Sequence, residues 1–101
     1  MKIKSKKLRD SARGEECQVG IAGVCSYNTE TTILAHLPFD DGGMAIKSSD
    51  LSSCYCCAAC HDAIDGRVRS DEFIQNKHFY LRRANVRTLI LLNDKGIIDI
   101  K

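Results

Sequence analysis

The cysteines constrain this chain more than any other feature, because four of the six fall within the seven residues 54–60, which read CYCCAAC. A chain of 101 residues buries a modest hydrophobic core, and small domains commonly add a metal ion or disulfide bonds. The N-terminus is charged and lacks the apolar region of a signal peptide, so the expected compartment is the cytoplasm, where thiols stay reduced. Clustered reduced cysteines indicate metal binding or catalysis.

Two cysteine pairs have a spacing that suits one tetrahedral zinc ion, which commonly takes four thiolates from two such pairs. One pair is a CxxC motif at the start of a predicted helix, and the other is a wider pair about thirty residues upstream, with two glycines that ease closure of its loop. We therefore predict a structural zinc ion bound by Cys17, Cys25, Cys57 and Cys60.

The crowding of the thiols leaves alternatives open. Cys54 and Cys57 also form a CxxC motif, but a knuckle that closes onto a helix start uses the last cysteines before the helix. Cys54 and Cys56 are accordingly predicted to be small packing residues. A thioredoxin-like redox pair at Cys57 and Cys60 is the main rival to zinc, although no βαβ pattern surrounds this motif.

The middle of the chain predicts strands followed by a helix. Thr31–Leu37 is rich in β-forming residues and ends at the loop sequence PFDDGG. A loop or a short second strand is expected within Ile46–Ser53, and a helix is expected to begin near Cys57–Cys60 and to stop at Gly66.

The last third predicts one long helix. Ser70 or Asp71 is suited to cap it, apolar residues recur at roughly helical spacing as far as Leu92, and Gly96 is a suitable stop. The final residues IIDIK are expected to form a short strand or a tail. No apolar run approaches the length that spans a membrane.

Basic residues dominate the N-terminus. Residues 1–13 hold six lysines and arginines against a single acid, Asp10, and are predicted to be a basic arm, with residues 14–101 as one domain. Such an arm suits contact with phosphates, although a solvated, frayed terminus is an equal alternative. The residues predicted to contact nucleic acid are Lys6, Lys7, Arg9, Arg13 and Arg67.

Two histidines are candidates for a catalytic or metal-binding role. His61 follows Cys60 directly, so on a helix its side chain projects about 100° away from that thiol. Asp65 lies one turn further along the same face, which makes a platform for a divalent ion or an ordinary exposed helix pair. His36 lies near the end of the predicted strand, where an isolated histidine is more often packed than catalytic.

The order of these pieces resembles the HNH nuclease superfamily, also called His-Me finger or ββα-metal nucleases. The matching text is LAHLPFDDGGMAIKSSDLSSCYCCAACHDAID, residues 34–65, in which Asp50 and Leu51 occupy the place of an Asn-Leu pair. More closely, residues 9–67 resemble the YbcO-type family of short phage and prophage nucleases, which are similar to the recombination-enhancing Ref nuclease. The resemblance implies an α+β fold, with a small zinc-stabilised ββα-metal core and an added long C-terminal helix.

The resemblance also implies roles for individual residues. His36 would be the general base that takes a proton from the attacking water, and Asp50 would hold the loop and this histidine in place. His61 would bind a catalytic Mg²⁺ or Mn²⁺ ion, with Asp65 as a second ligand or as the group that orients His61. The candidate catalytic residues are therefore His36, His61 and Asp50.

Two departures from the superfamily pattern bear on activity. Many members carry a metal-ligating acid or histidine just before the general base, where this chain has Ala35, which cannot ligate. The ion would then have fewer protein ligands, or would use Asp65, Asp40 or Asp41. The second departure is Asp50 in place of asparagine.

The function expected from these observations is a metal-dependent endonuclease that hydrolyses DNA in phage or prophage recombination or DNA processing. DNA is the implied partner, in the cytoplasm of a bacterial host cell, with no membrane and no small-molecule cofactor, and a homodimer is left open. A non-catalytic zinc module that binds nucleic acid, or protein, is the runner-up, and a thiol oxidoreductase is a third class.

Overall fold

The computed structural model of the protein describes residues 4–37 and 49–99. These residues form a small α+β fold with one two-stranded sheet and four α-helices within the described ranges. In chain order the elements are α1 (Lys6–Asp10), a 3-10 turn (Thr29–Thr31), β1 (Ile33–His36), β2 (Ser53–Cys56), α2 (Ala58–Ile64), α3 (Asp71–Gln75) and α4 (Lys77–Asp94). The predicted PFDDGG loop, with Asp40 and Asp41, lies outside the described residues.

The sheet separates two hydrophobic clusters. β1 and β2 are antiparallel, with Leu34 opposite Tyr55 and His36 opposite Ser53. Because successive side chains in a strand point to opposite faces, Ala35 packs with the cysteine-rich cluster, whereas Leu34 and Tyr55 pack with α1 and the end of α4. His36 lies at the exposed end of β1, between two residues of the cysteine-rich cluster, Ala35 and Leu37.

The second strand lies later in the chain than predicted. Residues 49–52 form a turn, closed by the amide of Ser52 donating to the carbonyl of Ser49 at 2.9 Å, and β2 begins only at Ser53. Cys54 and Cys56 are therefore strand residues, and all four residues of β2 are buried. The sequence pattern concealed this strand because its cysteines resemble metal ligands more than β-forming residues.

The predicted long C-terminal helix is broken into two. The prediction that Ser70 caps a helix is confirmed, since its Oγ accepts the amide of Phe73 at 3.1 Å, but that helix ends at Gln75. Asn76, with φ −122° and ψ 24°, interrupts the helical backbone before α4 begins. α4 ends at Asp94, and Gly96 follows with φ of 72°, a left-handed conformation that favours glycine and stops the helix. Residues 97–99 form no strand.

α4 protects the open edge of β2. The backbone amide of Tyr55 donates to Thr88 Oγ1 at 3.0 Å, and Asn85 Nδ2 donates to the carbonyls of Leu51 and Ser53 at 3.1 and 2.8 Å. These contacts satisfy polar groups that a short exposed strand would leave to water or to another chain.

The predicted N-terminal arm is in part a docked helix. Ser5 caps α1 by accepting the amide of Leu8 at 3.2 Å. Leu8 and Ala12 are buried in the second cluster beside Leu34. This part of the chain therefore packs against the sheet instead of projecting from it, while the proposed division at residue 13 stays a prediction.

None of the helices in the described ranges is long and apolar enough to cross a membrane.

Candidate functional site

The four predicted zinc ligands meet at one point. The sulfur atoms of Cys17, Cys25, Cys57 and Cys60 all lie within 4.8 Å of one another. Tetrahedral zinc with Zn–S bonds of about 2.3 Å places its sulfurs about 3.8 Å apart, and the Cys25 and Cys57 sulfurs are 3.9 Å apart. The geometry and the all-thiol donor set therefore fit a zinc ion.

Two local structures bring these thiols together. The carbonyl of Ile21 accepts the amides of Val24 and Cys25, both at 3.0 Å, in a tight turn whose Gly23 has a φ of 76°. On the other side, Cys57 is the N-cap of α2, and its sulfur accepts the amide of Cys60 at 3.5 Å. A knuckle and a helix start thus face each other across the candidate zinc site.

Neighbouring thiols in this cluster strongly shift one another's pKa values. Hydrogen bonds from the thiols of Cys56 and Cys60 hold the pKa of Cys17 far below its ordinary value, whereas burial raises the pKa of Cys25 to about 11. The same contact with Cys17 raises the pKa of Cys60 far above its ordinary value. A bound cation would favour the thiolate form of all four cysteines.

Cys54 and Cys56 have no exposed surface, so they are buried packing residues on β2. Cys56 also contacts Cys17, which the sequence interpretation did not foresee, and donates weakly to the carbonyl of Cys57 at 3.4 Å. Their i, i+2 spacing was the available signal, because it places both side chains on one face of a strand.

His36 is held by a buried carboxylate. Its Nε2 lies 2.7 Å from Asp50 Oδ1, and the Asp50 side chain is only 4% exposed, against 36% for His36. The other carboxylate oxygen accepts the backbone amide of Ser5 at 2.5 Å, and Arg9 Nε lies 3.8 Å from it. An imidazole that donates Nε2–H to a carboxylate carries its lone pair on Nδ1, which is the arrangement of a proton acceptor.

The pKa of Asp50 lies below its ordinary value. Burial acts in the opposite direction, but the hydrogen bond from the Ser5 amide, the hydrogen bond and charge of His36, and the charge of Arg9 outweigh it. Asp50 is therefore a carboxylate at neutral pH. No local pattern predicted its link to Ser5, which is 45 residues away in sequence.

His61 and Asp65 form the predicted pair on α2. His61 Nε2 lies 3.2 Å from Asp65 Oδ2, and both side chains are partly exposed. Ala63, between them in sequence, packs in the same cluster as Ala35, the neighbour of His36. No hydrogen bond or ion pair joins this pair to His36 and Asp50 in the part of the chain that the structure describes.

Arg67, which the sequence predicted to contact nucleic acid, forms ion pairs with two acidic side chains. The Nη2 atom of Arg67 is 3.1 Å from Asp65 Oδ2, the same oxygen that faces His61. The Nε atom is 2.9 Å from Asp62 Oδ1. The bend at Gly66 and the amide of Arg67, which donates to the carbonyl of Asp62 at 2.9 Å, fold the arginine back over the helix end. These carboxylates raise the pKa of Arg67, the hydrogen bond to Asp62 most strongly.

The other residues predicted to contact nucleic acid are exposed on and beside α1: Lys6, Lys7, Arg9 and Arg13. Lys6 lies 3.6 Å from Asp10, while Arg9 donates to the carbonyl of Ser5 at 3.3 Å and also approaches Asp50. The structure thus places this basic surface next to the carboxylate that holds His36.

The family model and the curated relatives point to one family. The model of the family described as "Putative nuclease YbcO" matches residues 6–97. Proteins of that name from Escherichia coli K12 and from Enterobacteria phage 82 are each 51% identical over 92 residues, covering 90% of this chain and 95% of the relative. The solved structure of a "putative bacteriophage protein" from Escherichia coli K-12 is similar with a TM-score of 0.68 and 37% identity, covering 89% of this chain and all of that one.

Proposed function

The chain belongs to the YbcO family, and we propose that it is a metal-dependent endonuclease of the HNH type that hydrolyses DNA phosphodiester bonds. Two relatives carry the name "Putative nuclease", and one of them comes from a phage, which supports hydrolysis of nucleic acid in a phage or prophage setting. Metal dependence, the HNH type and the choice of DNA are our proposal, based on the residues described below.

The contact between His36 and Asp50 carries the proposal. A histidine with a partly exposed ring, held at 2.7 Å by a buried carboxylate, is suited to take a proton from water. Asp50 acts here as a positioning residue, since it fixes the tautomer and orientation of the ring. The proton would leave the attacking water for Nδ1 of His36 as the new P–O bond forms.

His61 and Asp65 would hold the divalent ion. Octahedral Mg²⁺ or Mn²⁺ with bonds of about 2.1 Å places neighbouring ligand atoms about 3 Å apart. His61 Nε2 and Asp65 Oδ2 are separated by 3.2 Å, so one ion fits against both. When bound, such an ion neutralises charge on the phosphate and stabilises the leaving 3′ oxygen. Ala35 supplies no third ligand.

The four-cysteine cluster would hold a structural zinc ion. Such an ion would join the turn that carries Cys17 and Cys25 to the start of α2, and so would hold the helix of His61 against the sheet of His36. The exposed basic residues of α1 would contact DNA phosphates, as would Arg67 once it leaves Asp65.

A plasmid assay tests the proposal. Purified protein with Mg²⁺ or Mn²⁺ should nick or cut supercoiled DNA, chelation should stop it, and His36→Ala should slow it by about 100-fold or more. The matched control is His78→Ala, which removes the third histidine of the chain, on α4, and should cut normally. Cutting by His36→Ala at the wild-type rate would refute the role of His36.

A non-catalytic zinc module that binds nucleic acid is the second candidate. Two observations favour it: Arg67 already pairs with Asp65, and Ala35 occupies the place of a metal ligand. This candidate predicts DNA binding without cleavage in any divalent metal, and binding that His36→Ala leaves unchanged.

A further inference from the structure

The outer face of α4 carries an exposed apolar stripe. Phe79, Val86 and Ile90 are 60%, 55% and 55% exposed, although each is a large apolar side chain. They are spaced by seven and four positions, which brings them onto one side of the helix, opposite the side that packs on β2. Single exposed apolar residues are ordinary, but a stripe along one helix indicates a surface that another molecule covers.

The stripe also contains a depression into which apolar side chains of another molecule fit. A shallow depression of about 230 Å³ lies on this face, lined by Val86, Leu89, Ile90 and Asn93. Side chains of a second helix fill depressions of this kind when two helices pack at close distance. The centre of the stripe carries no charge, which makes it a poor surface for phosphates.

We propose that this stripe is the interface of a homodimer in which α4 pairs with α4 of a second copy, in antiparallel orientation about a twofold axis. A twofold interface must be complementary to itself. In this pairing the axis passes near Ile90, so that Ile90 of each copy packs into the depression of the other. The proposal does not depend on the nuclease function.

Charge complementarity supports both a second copy of the chain as the partner and the antiparallel orientation of the two α4 helices. Arg87 and Asp94 are exposed on one edge of the stripe, seven positions apart. In an antiparallel pair this edge meets the same edge of the second copy running the other way, so each Asp94 lies close to Arg87 of its partner. In a parallel pair the edge would meet the opposite edge, where the charged residue is Arg82. The dipoles of antiparallel helices also attract each other.

Sedimentation of the full chain tests the interface. The wild type is expected to be a dimer at micromolar concentration, and Val86→Glu or Ile90→Glu should weaken association by about tenfold or more, with an unchanged circular dichroism spectrum. Ile74→Glu is the matched control, because Ile74 is also 55% exposed but lies on α3, and it should remain dimeric. A monomeric wild type, or equal loss in Ile74→Glu, would overturn the proposal. Loss of DNA binding by Val86→Glu in a monomeric protein would assign the face to nucleic acid instead.

Charge reversal tests the orientation. Arg87→Glu and Asp94→Arg should each weaken the homodimer, because each sets like charges against one another. An equimolar mixture should recover a stable heterodimer, since in both twofold-related contacts the side chains at positions 87 and 94 then carry opposite charges. A mixture that associates no better than either variant alone would overturn the antiparallel arrangement.

Discussion

At the scale of single residues, Asp50 joins two parts of the molecule. One oxygen of its carboxylate binds the imidazole of His36, and the other accepts the amide of Ser5 at the start of α1. The side chain is almost wholly buried, so the charge is maintained by these contacts and not by water. Removing the charge should therefore affect both stability and the orientation of the candidate base.

Asp50→Asn tests this charge through its pH dependence. The folded pKa of Asp50 is depressed, so its stabilisation is complete above the unfolded pKa and is lost as the pH falls through the folded value. At about pH 7 the variant should unfold about 1 kcal/mol more easily than the wild type. Parallel urea unfolding should show this gap narrowing steadily below about pH 4. A gap that stays constant with pH would show that the charge is not responsible.

His61 and Arg67 make opposite predictions for metal affinity. His61→Ala should weaken Mn²⁺ binding by about tenfold or more, because it removes a ligand. Arg67→Gln should strengthen it a few-fold, since the guanidinium competes with the ion for Asp65 Oδ2. Arg69→Gln is the control, as that arginine pairs with Asp71, with 3.0 Å between its Nε and the carboxylate. Free Mn²⁺, measured by electron paramagnetic resonance, reports affinity independently of cleavage; weaker binding by Arg67→Gln would contradict the competition.

At the scale of elements, β2 is the centre of the fold. It pairs with β1 along one edge and is covered by α4 along the other, while its cysteines reach the knuckle and Tyr55 reaches the cluster beneath α1. Apart from α4, the helices around it are short, and α2 has only seven residues. Helices of this length are marginal alone, so their positions depend on the zinc site and on the packing of α1.

Zinc content should follow the geometry of the four thiols. We expect one zinc ion per chain, and Cys17→Ser or Cys25→Ser should lose it and lower the thermal midpoint. Cys54→Ser should retain the ion, because Cys54 is not among the four sulfurs that meet. Elemental analysis of the purified variants measures this directly. A zinc-free wild type with a Cys57–Cys60 disulfide would support the oxidoreductase alternative.

The docking of α1 should contribute to stability. Leu8 is only 3% exposed, so Leu8→Ala should lower the free energy of unfolding by about 2–4 kcal/mol. Lys7→Ala, which changes the exposed neighbour, should alter it by no more than about 0.5 kcal/mol. Urea unfolding compares the two variants, and equal effects would mean that α1 does not pack on the sheet in solution.

At the scale of the whole molecule, the sequence predicted those features that depend on the local spacing of residues. The meeting of the four thiols followed from two cysteine pairs, and the contact of His61 with Asp65 followed from helical periodicity. The start of β2 and the break at Asn76 were missed, because burial against distant elements decided them. The anchoring of Asp50 by Ser5 is tertiary and left no signal in either segment. The catalytic and DNA-binding roles of these residues stay predictions.

Chemical rescue tests the central claim, that His36 is the base of a metal-dependent DNA hydrolysis. His36→Gly removes the imidazole but leaves the Asp50 carboxylate and the α2 pair in place. We predict that this variant binds DNA but does not cleave it, and that free imidazole restores cleavage in proportion to its concentration, whereas His61→Gly is not restored. Wild-type cleavage by His36→Gly without imidazole, or equal restoration of both variants, would contradict the account.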